Sequence, residues 1–503
     1  MKYSTRFISL LLCTMIIFSC ISCAKTPDND IVVNKGDGTL ENKIENSTGN
    51  GLEIDTNERE YTETATGYVF HETESFSSSN GIVTYNIDAD VTIPKDTTMP
   101  VLEVLPEHWT PEDLEKLSRV FVGDAPIYEY TAAMTKDEIM EIILEKEKKL
   151  SDRGALLEYY GNEETVNYVV ESLEHELAAA ERDYENAPDY IERVLSDFSF
   201  HNDKYWYTDY STLKGIPEHT TMKATTEVDS IPYFIWATQN ERESYRWISY
   251  SIWACSPSFP DSDLNRFDYY QIQPFTQDEI SAAIELVNST LSNLNSIDPN
   301  TTNWKIHDYT ERTYPDGDIN YYYLEFSFTP IYNGYDGLSL PSGADLAPSS
   351  ETAYVGDFPN ESLVIEVSNS KIMLCYYMSP LVVSDTLNDN VELLPYEEIL
   401  DRIYTQLEVS ITGKNVPIEP YTSYKVTSAK VDITKIECCL IRMPIKDSFD
   451  EYYMIPAWCV YGIYEMTEIS NGKQTVEGFT IGNSGVPIFV LNAVDGSVIS
   501  SSI

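Results

Sequence analysis

The feature that most restricts the fold of this chain is a pattern that occurs twice in its C-terminal half. Thr276 caps an expected helix, and Glu279 completes a capping box. Ile280, Ile284, Val287, Leu291 and Leu294 then form one apolar stripe. Strands are expected at 304–312 and 319–329, joined by a turn at Pro315-Asp316-Gly317-Asp318. A hairpin, LVIEVSNSKIMLCYY (363–377), follows. The order then recurs. Pro395 opens a helix with Ile399, Ile403 and Leu407 on one face, strands are expected at about 424–443 and 452–464, and a hairpin reads IFVLNAVDGSVIS (488–500). Aligning the hairpins sets Val364 with Val490, Ile365 with Leu491, Asn369-Ser370 with Asp495-Gly496, and Ile372 with Val498. Asp495-Gly496 is expected as a two-residue turn with both positions at positive φ, and Asn369-Ser370 as its weaker counterpart. The pattern predicts one helix on a four-stranded antiparallel sheet, twice, and so an α+β fold.

The residues before this pattern read differently. Val83, Tyr85, Ile87, Ala89, Val91 and Ile93 alternate with polar residues, which predicts a half-buried strand. Pro94 and Pro100 bracket a turn before a second strand, VLEVL (101–105). Thr110 caps a helix with Pro111 at its first position and Leu114 and Leu117 on one face. Residues 134–198 predict a helical insertion with charged outer faces. Its first helix opens on the Thr135/Glu138 capping box and carries Ile139, Ile142, Ile143 and Leu150. Its second carries Val166, Val169, Val170, Leu173 and Leu177, and its third starts at Pro188 with Ile191, Val194 and Leu195. Tyr/Trp-rich strands are expected at 204–210 and 245–255. The expected divisions are 67–272 as an N-terminal α+β domain, then halves at 273–392 and 393–503.

The N-terminus carries an address. Lys2 and Arg6 precede an apolar run from Phe7 to about Phe18, too short for a permanent bilayer span. Two cysteines follow, each after a serine: Ser19-Cys20 and Ser22-Cys23. A small residue before Cys at the end of an apolar run resembles a bacterial lipobox. The resemblance implies cleavage before the Cys and diacylglyceryl attachment to its sulfur, at Cys20 or alternatively Cys23. Ile17 suits the apolar position for Cys20. Ordinary signal-peptidase cleavage is the competing reading. Residues 1–22 are thus the expected signal and lipobox region. Residues 23–66, rich in Asn, Gly, Asp, Glu and Thr, are an expected tether with an average reach of roughly 35 Å. The expected location is the outer face of a cell membrane of Gram-positive type, held by lipid.

Composition narrows the partners. The 503 residues include 33 Lys and Arg against 82 Asp and Glu, a net charge of −49. A polyanion gains nothing by releasing counterions from a second polyanion, so nucleic acid is excluded as an expected partner. A hydrophobic content of 42% allows packed cores and rules out disorder throughout.

Motifs for chemistry are sparse. The six histidines, His71, His108, His175, His201, His219 and His307, are scattered. His175 reads as an exposed helix residue. Asp261, Asp263 and Asn265 imitate the start of a calcium loop, but Arg266 stands where the turn glycine is needed and Ile272 where the closing Glu is needed. No G-x-S-x-G, phosphate loop or dinucleotide fingerprint occurs. No catalytic residue, cofactor or metal site is therefore expected. Cys255, Cys375, Cys438, Cys439 and Cys459 lie in apolar strands and read as buried free thiols. A bridge from Cys438 or Cys439 to Cys459 is the competing reading. Tyr321, Tyr323, Tyr332 and Tyr335 cluster in one strand and its loop. Tyr321 and Tyr323 share a side opposite Tyr322, which predicts one core side and one exposed Tyr stripe able to recognise peptide or glycan.

Two resemblances add to this. The helix, the strands, YYMIPAWCVYG (452–462) and LNAVDGSVI (491–499) resemble the PepSY-like halves of extracytoplasmic regulatory proteins, most of all the YycH/YycI type. The motif residues are Pro456-Ala457-Trp458 and Asn492-Ala493-Val494-Asp495-Gly496. The match covers roughly residues 276–503. It implies two PepSY-like halves and a regulatory role toward a membrane sensor kinase. Those regulators are held by a transmembrane helix, whereas here the anchor resembles a lipid. The whole chain is also similar to a clostridial-type family of secreted lipoproteins catalogued as a domain of unknown function. CAKTPDNDIVV (23–33), MPVLEVLPEHWTPEDLEKL (99–117) and MTKDEI (134–139) carry that similarity. The resulting expectation is a non-enzymatic surface lipoprotein that binds an extracytoplasmic protein or peptide. A solute- or glycan-binding lipoprotein is the alternative, and a carboxylate-dependent hydrolase a third reading.

Overall fold

The computed structural model describes residues 60–501, except 64–66, 79–80, 95–97, 132, 204–218, 243–244, 256–268, 298–301, 317–318, 341–359, 414–423, 446–450, 471–472 and 480–485. Cys20, Cys23, the strand expected at 204–210 and the loop of Asp261 and Asp263 lie outside the described residues.

Two large curled sheets dominate. The first contains β1 (Thr62–Glu63), β2 (Gly67–Ser77), β3 (Val83–Pro94), β4 (Thr98–Pro106), β15 (Leu381–Glu392), β16 (Tyr424–Pro444), β17 (Tyr452–Ser470), β18 (Lys473–Phe479), β19 (Phe489–Asn492) and β20 (Val498–Ser501). Its main path is β1-β2-β3-β16-β17-β19-β20, while β4 and β18 also pair with β17, and β15 pairs with β4. The second contains β5 (Tyr128–Glu129), β6 (His201–Asp203), β7 (His219–Val228), β8 (Ile231–Arg242), β9 (Tyr245–Ala254), β10 (Asn303–Asp316), β11 (Ile319–Tyr332), β12 (Tyr335–Asp336), β13 (Ser362–Ser368) and β14 (Lys371–Met378). Its path is β10-β11-β13-β14-β9-β8-β7-β5.

The six helices of the described residues are α1 (Pro111–Val122), α2 (Lys136–Ser151), α3 (Arg153–Tyr160), α4 (Glu163–Asn186), α5 (Gln277–Leu294) and α6 (Tyr396–Gly413). The expected capping boxes close α2 through Thr135 and Glu138, and α5 through Thr276 and Glu279. Val287, Leu291 and Leu294 of α5 are buried, as are Tyr396, Ile399 and Ile403 of α6. Tyr396 packs on Trp458 of β17, with ring centroids 5.5 Å apart. The α5-β10-β11-β13-β14 and α6-β16-β17-β19-β20 segments therefore share one order, a helix followed by four strands paired in sequence and antiparallel.

Strand pairing crosses the divisions read from sequence. β2–β4 of the N-terminal segment join the first sheet, and β6–β9 join the second. β3 alternates buried and open positions as its sequence predicts, but it pairs with β16 in parallel. One glycine is fixed by that neighbourhood. A Cβ on Gly462 of β17 would stand 2.3 Å from the Asp432 carbonyl oxygen, next to the bulge between Ile433 and Lys435.

Two local expectations are corrected. The third helix of the insertion does not form. After Asn186 the chain runs extended past Pro188, and Val194 accepts from the Glu129 N–H at 2.9 Å while Ser196 donates to Ile127 at 3.0 Å. Those backbone bonds to the β5 segment replace a helix that Leu195 and Val194, both exposed, could not have buried. The Asp495-Gly496 hairpin is also not a two-residue turn. Residues 493–497 form a longer connection in which only Gly496 takes positive φ, at 73°. The Asn492 side chain accepts from the Val494 N–H and Asp495 accepts from the Ser497 N–H, each at 2.8 Å, which fixes the wider loop. Asn369 and Ser370 do form the tight turn, with φ of 48° and 59°.

Candidate functional site: a buried carboxyl at the sheet seam

The two sheets meet where β14 leaves the second and β15 enters the first, across Ser379 and Pro380. Backbone bonds tie the seam: Glu107 N–H to Pro380 at 2.8 Å and Leu338 N–H to Leu440 at 2.8 Å. Glu361, one residue before β13, is buried there. One carboxyl oxygen accepts from Tyr332 Oη and from Thr302 Oγ1 at 2.9 Å. The other accepts from the Leu381 N–H at 3.2 Å and Tyr377 Oη at 3.4 Å. Thr302, Tyr332 and Tyr377 belong to the second sheet and its approaches, and Leu381 opens β15 of the first.

Two effects oppose each other at this carboxyl. Burial disfavours its charge, while the hydrogen bonds from Tyr332, Thr302 and the Leu381 N–H and the more distant Arg442 favour it. Burial is the larger, and the carboxyl is pushed up to about 7. Tyr332 and Tyr377 are held well above the usual phenol range, first by burial and then by Glu361 itself. The cavity beside Glu361 is also lined by Pro330, Leu338, Asn360, Arg442 and Met454. Its volume is about 30 Å³. That is the scale of a water molecule, whereas organic ligands take pockets of about 300 Å³ or more. The arrangement can hold or release one proton and clamp four chain segments. It does not have room for a substrate.

The tyrosines singled out from sequence are brought together only in part. Tyr332 is buried and is a member of the carboxyl cluster. Tyr321, Tyr323 and Tyr335 are half-buried and packed against the main core. Tyr322, on the opposite side of β11, is half-buried too, so burial does not separate one core side from one exposed side among Tyr321, Tyr322 and Tyr323. Glu361 itself carried no sequence signal, since its partners come from four separate segments.

Other titratable groups are structural in their surroundings. His71 bridges Asp90, 3.0 Å from Nδ1, and Asp88, 2.8 Å from Nε2, and these bonds raise its pKa. The two carboxylates sit at opposite ring nitrogens and converge on no common point. The described residues include no group of three His, Cys, Asp or Glu side chains able to hold a metal ion. All five body cysteines are free and buried. Cys439 Sγ lies 3.6 Å from Cys459 Sγ, while Cys438 faces the other side of β16, 3.7 Å from Met99 Sδ. Burial raises the thiols of Cys255, Cys375 and Cys438, which keeps them protonated and unreactive.

No family model and no curated protein matches the chain. Among solved structures, it is similar to an uncharacterized protein from Eubacterium rectale ATCC 33656, solved at 1.45 Å. That likeness has 11% identity and a TM-score of 0.40, and covers 82% of this chain and 90% of the other. At that level it carries no functional argument.

Proposed function

We propose that the chain is a lipid-anchored extracytoplasmic protein that binds another protein or peptide and acts without catalysis. The observation that carries this reading is the N-terminal order: a charged start, a short apolar run, Cys20 and Cys23, then an acidic tether ahead of a folded body. A tethered body of this kind presents its surface to neighbours outside the membrane. The two helix-plus-four-strand segments of like order support a PepSY-like, regulatory reading of residues 276–503. The water-sized cavity at Glu361 gives no support to a hydrolase at that carboxyl. The half-buried Tyr321, Tyr323 and Tyr335 give none to the glycan-binding alternative.

Mass spectrometry of the mature N-terminus tests the anchor. A diacylglyceryl group on Cys20 or Cys23 is expected. An unmodified N-terminus downstream of Cys23 would overturn it. Chemical cross-linking on whole cells followed by affinity capture tests the binding role, with a specific extracytoplasmic protein expected in the eluate.

A further inference from the structure

The insertion α2–α4 carries an apolar tip that its own packing leaves open. α3 has no buried residue at all, although it contains Leu156, Leu157, Tyr159 and Tyr160. Tyr159 is 65% exposed and packs edge-on against Tyr160, with centroids 4.8 Å apart. Tyr168, on the first turns of α4, is 75% exposed. Exposed rings of this size are costly to hydrate and are enriched at the centres of interfaces.

Charge says what covers them. Arg153, at the start of α3, is engaged by Glu163 at 2.8 Å and also bonds Asn167, while Lys148 on the last turn of α2 is exposed. Further along the insertion Lys136 is paired with Asp189, Lys146 with Glu176, and Lys149 with Glu145. Glu158 and Glu164 have no ion-pair partner among the described residues. Glu164 precedes Tyr168 by four positions and Glu171 follows it by three, so one helix face carries an open ring between two carboxylates. Aromatic faces and carboxylates together favour a cation that also buries an aliphatic stem, which describes Arg and Lys side chains.

We propose that the tip formed by α3 and the start of α4 is a docking surface for a basic, Arg- or Lys-bearing segment of another extracytoplasmic protein. The proposal rests on the protein-binding reading above and names the surface and the partner's chemistry. The occupant's cations sit over Tyr159, Tyr160 and Tyr168 and against Glu158, Glu164 and Glu171. Its apolar residues cover Leu157.

The test uses the mature full-length chain and a short labelled peptide of Arg, Lys and Leu, with a peptide carrying Glu at the basic positions as control. Fluorescence anisotropy should show salt-sensitive binding of the basic peptide alone. The triple variant Tyr159→Ala, Tyr160→Ala, Tyr168→Ala should weaken it about tenfold or more. The variant Glu158→Gln, Glu164→Gln should weaken it and flatten its salt dependence. Equal binding by the triple variant would show that the peptide follows only the overall acidity, and would overturn the proposal. So would absence of binding, or wild-type dimers that the triple variant abolishes, which would make a second copy the occupant. If the peptide fails while whole-cell cross-linking still captures a partner, the tip is wrong and the protein-binding reading stands. If both fail, that reading falls as well.

Discussion

The sheet seam and the helical tip treat the same kinds of residue in opposite ways. At the seam, Glu361, Tyr332 and Tyr377 are buried, and the carboxyl meets three hydroxyls and a backbone N–H. At the tip, Glu158, Tyr159 and Tyr160 stand in solvent. Tyr and Glu at the seam hold chain segments from both sheets together. At the tip, Glu158 and Glu164 have no ion-pair partner among the described residues, and Tyr159 and Tyr168 are mostly exposed. The difference teaches where stability and recognition reside: the first follows satisfied burial, and the second follows side chains that folding leaves unsatisfied.

Substitutions can break or sharpen this contrast. The largest effect is expected in the first sheet. Trp458→Ala, which empties a fully buried site under Tyr396, should cost about 3–5 kcal/mol in denaturant unfolding. Next comes the seam. Glu361→Ala leaves the Tyr332, Tyr377 and Thr302 hydroxyls and the Leu381 N–H without their acceptor, at about 2–4 kcal/mol. Glu361 also sets a pH dependence. Its carboxyl titrates at about 7 in the fold against an ordinary 4.5, so the native chain holds the proton more tightly than the unfolded one. Its contribution is full below the unfolded value and is lost as pH rises to about 7, on the scale of about 3 kcal/mol. Unfolding curves should show that fall for the wild type, and Glu361→Gln should remove it. A third, smaller effect belongs to the insertion, where Thr135→Ala removes the cap of α2 at about 1 kcal/mol. The smallest is at the tip: Tyr168→Ala should leave stability unchanged within about 0.5 kcal/mol. A large loss there would mean that the ring supports the fold and would erase the contrast.

What sequence could show followed from local periodicity. The stripe of α5, Ile399 and Ile403 of α6, the alternation of β3 and the Asn369-Ser370 turn are set by residues a few positions apart, and they form as read, while the side chain of Leu407 lies outside those described. The parallel β3–β16 pair joins residues far apart in the chain, and no local pattern encodes it. The Glu361 cluster is similar, since Thr302, Tyr332, Tyr377 and Leu381 meet only once the sheets are in place. The half-burial of Tyr321, Tyr322 and Tyr323 on both sides of β11 was not legible for a related reason. Alternation tells which side chains share a face, but not whether another layer covers that face. The apolar residues after Pro188 were spaced for a helix, yet backbone bonds to the β5 segment held them extended.

In the proposed role, an anchored body presents the α3–α4 tip to a protein partner. Whole-cell cross-linking of wild type and the Tyr159→Ala, Tyr160→Ala, Tyr168→Ala variant, side by side, tests it most directly. A specific extracytoplasmic protein should be joined to the wild type through a basic segment and be lost from an equally stable, equally abundant variant. Recovery of the same protein from both would contradict it.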